Sequence, residues 1–262
     1  MRRAAATTSL RRPGTRSRSG GRTAAERRRT AGPVLLMVLG LTLLLVPAWH
    51  LWWSDLAAGR AQEHAVARMS DRLDQVRSAE VPAAEGVGEG PPPVTARPPQ
   101  GELIGIVYVP RFGRDYARPV AEGADPDVLD TLGLGHYPST AMPGELGNVA
   151  IAGHRQSNGK ALDLVHTLRP GDHIHVRTAE AYYTYTYRGS EVVAPDETRV
   201  LAPDPDAPTA DPTERILTLT TCHPRYGATE RFVGRAVLTS WRPASSGPPA
   251  EIAAAVAATG RT

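Results

Sequence analysis

Apolar and polar positions follow several distinct patterns along the 262 residues. From Val34 to Trp53 the chain reads VLLMVLGLTLLLVPAWHLWW, twenty residues without Asp, Glu, Lys or Arg. A helix of that length rises about 30 Å, the thickness of a bilayer core. Trp49, Trp52 and Trp53 gather at its end, where an interfacial aromatic belt sits. Pro47 kinks such a helix rather than stopping it. Between Asp55 and Ala79 the chain turns polar and Ala-rich. Val66, Met69, Leu73 and Val76 recur there at helical spacing, predicting a juxtamembrane helix with a stripe suited to self-association. Glu80 to Gln100 is dominated by Pro, Gly, Ala and Glu. That composition buries no core and predicts a flexible, extended stalk.

From Gly101 onward the pattern changes to short strands broken by Gly and Pro. The expected strands are Leu103–Val109, Asn148–Ala152, His173–Arg177, Ala181–Arg188, Glu191–Val193, Ile216–Cys222 and Phe232–Thr239. Tyr182 to Tyr187 alternates aromatic and Thr residues, a strong β signal. Asp125–Leu132 and Lys160–Leu168 read as short helices. The fold class is therefore mostly β. A closed barrel of seven to eight strands with short helices occupies 101–242, behind one transmembrane helix. The remaining divisions are a basic tail (1–33), the anchor (34–53), helix and stalk (54–100) and a frayed tail (243–262). No internal repeat is present.

Charge adds an orientation. Residues 1–30 hold ten arginines and one acid, a balance of +9, whereas the whole chain carries +3. The rest of the chain therefore carries −6, and the basic character belongs to the N-terminal tail. Arginines before the span and Ser54-Asp55 after it predict a cytoplasmic N-terminus and an extracellular remainder. The apolar run is longer than a signal-peptide core and no A-x-A site follows it closely, which predicts an uncleaved single-pass anchor in the cell membrane. Beside such a span a basic tail sets topology and meets anionic lipid, so no nucleic-acid partner is expected.

The only cysteine, Cys222, lies in TLTTCHPRYGATER, residues 218–231. On the oxidising side of a membrane a lone thiol is either buried and inert or reactive. In the run leading to it, Leu217 and Leu219 share one face, and Ile216, Thr218, Thr220 and Cys222 the other. That second face grows polar toward Cys222, and His223-Pro224 breaks the strand. A free thiol is only slightly ionised at neutral pH, so a nucleophilic Cys222 needs a base or cation nearby. His154 ends the buried strand pattern in NVAIAGHR, and Arg231 heads the strand after Cys222. From the residues alone both readings stay open: a core cysteine with solvated His and Arg neighbours, or a reactive site at one end of the barrel. His173 and His175 share a strand face, but no second Cys and no carboxylate–histidine pattern accompanies them, so no metal is expected. No P-loop and no Gly-rich nucleotide fingerprint occurs, and no cofactor is expected.

TLTTC resembles the TLxTC signature of sortases, the membrane-anchored cysteine transpeptidases of Gram-positive bacteria. GHYPSTAMPGELGNVAIAGHR, residues 135–155, is similar to the sortase segment that ends in the catalytic histidine. ERFVGRAVL is similar to the strand that bears the catalytic arginine. The wording of these motifs looks most like the class E sortases of high-GC actinobacteria. Twenty-nine arginines against the single Lys160 agree with a high-GC source. The resemblance implies Cys222 as nucleophile, His154 as general acid/base and Arg231 as oxyanion stabiliser. It implies cleavage of a Thr–Gly bond in an LAxTG- or LPxTG-like sorting signal, with transfer of the acyl group to a cell-wall-precursor (lipid II-like) or pilin amine. Partners would be surface proteins that bear sorting signals. Tyr137 and Thr221 would contact the signal, although strand parity points Thr221 away from Cys222. No acidic calcium cluster and no aromatic lid is legible in the sequence, which favours an anchoring role over pilin polymerisation.

Two other functions compete. A cysteine hydrolase would resolve the same acyl-enzyme with water. A non-catalytic extracellular β-domain would leave Cys222 unreactive and His154 far from it. An L,D-transpeptidase would carry an S-x-G-C motif, which is absent.

Overall fold

A computed structural model describes residues 24–79 and 88–260. Helix α1 runs from Ala24 to Ala79. One 18-residue window in it reaches a mean hydropathy of 1.9, and none of that window is buried. This is the one helix among the described residues long and apolar enough to cross a membrane. Residues up to Trp49 form one unit and His50 onward a second.

The second unit is a closed barrel. Its strands are β1 (Leu103–Tyr108), β2 (Ala117–Glu122), β3 (Leu134–His136), β4 (Gly147–Gly153), β5 (His173–Arg177), β6 (Ala181–Val193), β7 (Arg215–His223) and β8 (Glu230–Pro243). They close in the order β1-β2-β3-β4-β7-β8-β6-β5. The pairs β2–β3 and β4–β7 are parallel and the others antiparallel. Period-two alternation fills the interior. Val107, Val120, Leu134, Val149, Ile151, Ile174, Val176, Tyr183, Tyr185, Leu217 and Leu219 form one buried cluster.

The two segments expected as Ala181–Arg188 and Glu191–Val193 are one strand, with register shifts opposite β8 near Thr184 and Gly189. Two strands were not legible. β2 carries Arg118 and Pro119 and does not read as a strand. Pro119 lies before the β3 ladder begins at Val120, where one side of the strand has no β3 partner. β3 is three residues long and gives no periodicity. The helix expected at Asp125–Leu132 is α2 (Pro126–Leu132), capped by the Asp125 carboxylate on the Val128 N–H. Lys160–Leu168 is not a helix. It holds one 3-10 turn, Val165–Thr167, and Ala161, Leu162, Val165 and Leu168 plug the barrel core. Asn158, Gly159 and Lys160 all have positive φ, which breaks any helical run at its start.

Both flanking segments depart from expectation. Val66, Met69 and Leu73 of α1 pack against Ile106, Tyr108, Ala117 and Tyr182 on the outer barrel face. The stripe is thus covered by the chain's own barrel, and Val76 remains exposed. Residues 88–100 are no free stalk. Tyr183 Oη donates to Pro93 O at 2.8 Å, Thr95 N to Pro143 O at 3.0 Å and Arg97 Nη2 to Thr140 O at 2.7 Å. The segment bonds to the barrel in both directions: its Pro93 carbonyl accepts from Tyr183, whereas its Thr95 N–H and Arg97 guanidinium donate to barrel carbonyls. Gly144 (φ +89°) has no room for a Cβ because the Pro93 carbonyl lies against it. The C-terminal segment is ordered as well. It forms two 3-10 turns, Ala244–Ser246 and Ala250–Ile252, and helix α3 (Ala253–Thr259). Ile252, Ala255 and Val256 complete the cluster with α1. Residues 80–87 of the expected stalk lie outside the described residues.

Candidate active site

The ends of β4, β7 and β8 build the site. Because β7 and β8 pair antiparallel, Cys222 stands directly opposite Arg231. The loop between them spans 224–229. On β7, Leu217, Leu219 and Thr221 face the barrel interior, so Thr220 and Cys222 face outward. Arg231 and Val233 share that outer face of β8. The strand therefore delivers its thiol to the outside of the barrel, half-buried and with no disulfide.

His154 follows the last residue of β4, which runs parallel to β7 with Ala152 opposite Thr220. The chain thus brings His154 to the level of Cys222 on the neighbouring strand end. Its Nε2 lies 2.6 Å from Asp130 Oδ1, and Asn158 Nδ2 donates to the same oxygen at 2.7 Å. Asp130 sits on α2 and lies 24 residues from His154 in sequence, a pairing with no local signal. The Arg231 guanidinium donates through Nη1 to the carbonyls of Ala228 and Glu230 at 3.0 and 2.9 Å. These bonds hold it over the β7–β8 loop.

Thr221 does not face the solvent side expected of a peptide contact. It is buried, and its hydroxyl donates to Gly153 O at 2.7 Å. The bond joins β7 to β4 one residue before both Cys222 and His154. Tyr137 is better placed for the outer face: its hydroxyl lies 3.1 Å from Thr220 Oγ1, one strand repeat before Cys222. The segment carrying Tyr137 is set by a buried network. His136 places Nδ1 2.8 Å from Glu122 Oε2 and Nε2 2.9 Å from Ala141 O. Arg97 Nη1 donates to the other Glu122 oxygen at 2.8 Å.

A further residue was missed. Arg155, next to His154, is 6% exposed. Its Nη1 donates to Cys222 O at 3.3 Å and to His223 Nδ1 at 3.0 Å, and its guanidinium lies over the Phe232 ring. An arginine beside a strand end ordinarily reads as a solvated charge, so nothing in the sequence marks this one. His223 neighbours Cys222 but projects to the other face of β7, with Nδ1 accepting from Arg155.

The sortase domain family model matches residues 107–239, about half of the chain. The chain belongs to the sortase family. Sortase SrtE1 of Streptomyces coelicolor is 29% identical over 222 residues, which cover 82% of this chain and 58% of SrtE1. Sortase SrtE2 of the same organism is 27% identical over 241 residues, covering 88% of this chain and 90% of SrtE2. This sortase therefore spans less than two thirds of the length of SrtE1. Among solved structures, the SrtA sortase from Actinomyces oris is 38% identical with a TM-score of 0.61, covering 63% of this chain and 96% of that one. Sortase E1 from Streptomyces coelicolor, solved with a tripeptide in its active site, is 32% identical with a TM-score of 0.54 and covers 60% and 99%. The class E character of the motifs agrees with these relatives.

Proposed function

We propose that this sortase is a cysteine transpeptidase that cleaves a Thr–Gly bond in an LAxTG- or LPxTG-like sorting signal. The observation that carries the reading is the pairing of Cys222 with Arg231 across β7 and β8, with His154 at the adjoining strand end. The Cys222 thiol gives its proton to His154, its Sγ attacks the threonine carbonyl carbon, and the carbonyl electrons move to oxygen. Arg231 leaves the Ala228 and Glu230 carbonyls and donates to that oxyanion. As the oxyanion collapses, the C–N bond breaks and His154 gives a proton to the departing glycine amine, leaving a Cys222 thioester. An incoming amine then attacks the thioester, His154 takes its proton, and the thiolate of Cys222 leaves. Asp130 holds Nε2 of His154, so Nδ1 is the nitrogen that handles the transferred proton.

Tyr137, whose hydroxyl lies beside Thr220 on the face that carries Cys222, contacts the sorting signal. Surface proteins with a C-terminal sorting signal supply the acyl group, and a lipid II-like or pilin amine accepts it. The apolar part of α1 crosses the membrane with its arginine-rich end in the cytoplasm, so the barrel works outside the cell, where both substrates are found. Incubating the full chain in detergent with LAxTG and LPxTG peptides plus an amine tests this. Mass spectrometry should find the peptide–amine conjugate, and Cys222→Ala should yield none while remaining folded. Free acid with no conjugate at any amine concentration would indicate a hydrolase instead.

A further inference from the structure

His173, His175 and Glu251 lie on the outer barrel face, away from the Cys222 site. Strands β8 and β6 separate β5 from β7. His173 and His175 alternate onto the same face of β5. The turn Ala250–Ile252 brings Glu251 over them, 78 and 76 residues later in sequence. One carboxylate oxygen, Oε2, lies 2.8 Å from His173 Nδ1 and 3.0 Å from His175 Nε2. One donor atom from each of the three residues falls within 4.8 Å of the others. In the sequence the two histidines have no carboxylate in pattern with them, and the fold supplies one.

We propose that these three side chains form a binding site for a divalent transition ion of the zinc class, which staples the C-terminal segment to the barrel. Two imidazoles and one carboxylate are the donor set that zinc accepts from three protein ligands, with the fourth position left to water. Ligand atoms about 2.0–2.2 Å from a tetrahedral ion lie somewhat more than 3 Å apart, near the 2.8 and 3.0 Å that separate Glu251 Oε2 from the two imidazoles, with all three donor atoms within 4.8 Å of one another. Oxygen-seeking ions such as calcium and magnesium are disfavoured by the two nitrogens.

The second layer fits the same reading. Behind His175, Nδ1 lies 3.1 Å from Thr184 Oγ1, a hydroxyl that donates or accepts. With a metal on Nε2, the His175 proton moves to Nδ1 and is donated to Thr184. A fixed outer partner of this kind orients a metal-bound imidazole. His175 is 1% exposed at its side chain, whereas His173 and Glu251 are each 42% exposed. The base of the site is thus rigid and its mouth open to solvent. Glu251 leads directly into Ile252, Ala255 and Val256, which pack on Val66, Met69 and Leu73 of α1. An ion here ties β5 to the segment that covers α1.

The test uses the full chain in detergent, treated with a chelator and carrying Cys222→Ala to remove the thiolate as a competing ligand. Co2+ is titrated and followed by its visible absorption, then displaced with Zn2+. One Co2+ per chain is expected, displaced by Zn2+. His173→Ala and Glu251→Gln should each weaken binding at least about tenfold. Both side chains are substantially exposed, so the variants keep the fold, which circular dichroism verifies. Zn2+ should also raise the Tm of the parent and leave that of His173→Ala unchanged. No Zn2+-displaceable Co2+ up to millimolar concentration, or binding that either substitution leaves unaltered, would overturn the proposal.

Discussion

Thr221 donates its hydroxyl proton to the carbonyl of Gly153 across 2.7 Å, and the next residues on the two strands are Cys222 and His154. This bond is the joint between the strand that carries the thiol and the strand that carries the imidazole. A threonine at this position serves alignment, since its side chain points into the barrel end and away from the groove. Thr221→Val keeps the shape and removes the donor. It should lower kcat for peptide cleavage about tenfold or more, since small misplacements of reacting groups are costly. KM should hardly change, and Thr221→Ser should restore most of the rate. A KM effect alone would show that Thr221 contacts the peptide directly.

Asp130 holds His154, and Asn158 braces Asp130 through the same oxygen. The brace reaches α1: Gln62 Nε2 donates to Asn158 O at 2.9 Å, and the Gln62 amide lies against Gly159. The His154–Asp130 pair is half-exposed, so its contribution is about 1 kcal/mol or less. Asp130→Ala should therefore reduce kcat by about fivefold or less, with the Tm nearly unchanged. Steady-state kinetics with the LAxTG peptide measures this.

Two arginines flank Cys222 and should fail differently. Arg155 is buried on the Cys222 carbonyl and over Phe232, so Arg155→Met leaves buried acceptors unpaired. It should cost about 2–3 kcal/mol of stability, seen as a lowered Tm, and Arg155→Lys should not restore it. Arg231→Ala removes a side chain whose bonds to the Ala228 and Glu230 carbonyls are exposed. It should leave the Tm almost intact and lower kcat/KM by about a hundredfold or more. A matched loss of stability in both variants would contradict this division of roles.

The α1 stripe should matter for the barrel as well. Leu73 is 3% exposed in the cluster shared with Tyr182 and Ile252. Leu73→Ala should destabilise the detergent-solubilised chain by about 2–4 kcal/mol, whereas Val76→Ala should change little. Thermal unfolding of the two variants compares them. An equal, small effect would mean that the stripe is not held by the barrel in solution.

The parts legible in the sequence were those with local signals. Alternation on Tyr182–Tyr187 and Ile216–Cys222 marked strands that line the core, and the motif around Cys222 marked the family. Long-range pairings were not legible. Asp130 meets His154, Arg155 turns inward to the Cys222 carbonyl, and Glu251 meets His173 only once the chain is folded. Composition misled at the flanks. Residues 88–100 cannot build a core of their own, yet the barrel bonds their backbone, Tyr183 donating to Pro93 O and Pro143 O accepting from Thr95 N–H. The Ala-rich C-terminal segment has few large side chains, but Ile252 and Val256 suffice because α1 supplies the other half of the cluster.

Cys222 should form a thioester with the threonine of a sorting signal. Intact-mass analysis of the full chain mixed with an LAxTG peptide, without added amine, tests it most directly. A Cys222 acyl-enzyme predicts a mass gain equal to the peptide fragment up to threonine, mapped to Cys222 and released by hydroxylamine. No adduct under conditions where the peptide is cleaved, or an adduct on another residue, would contradict it.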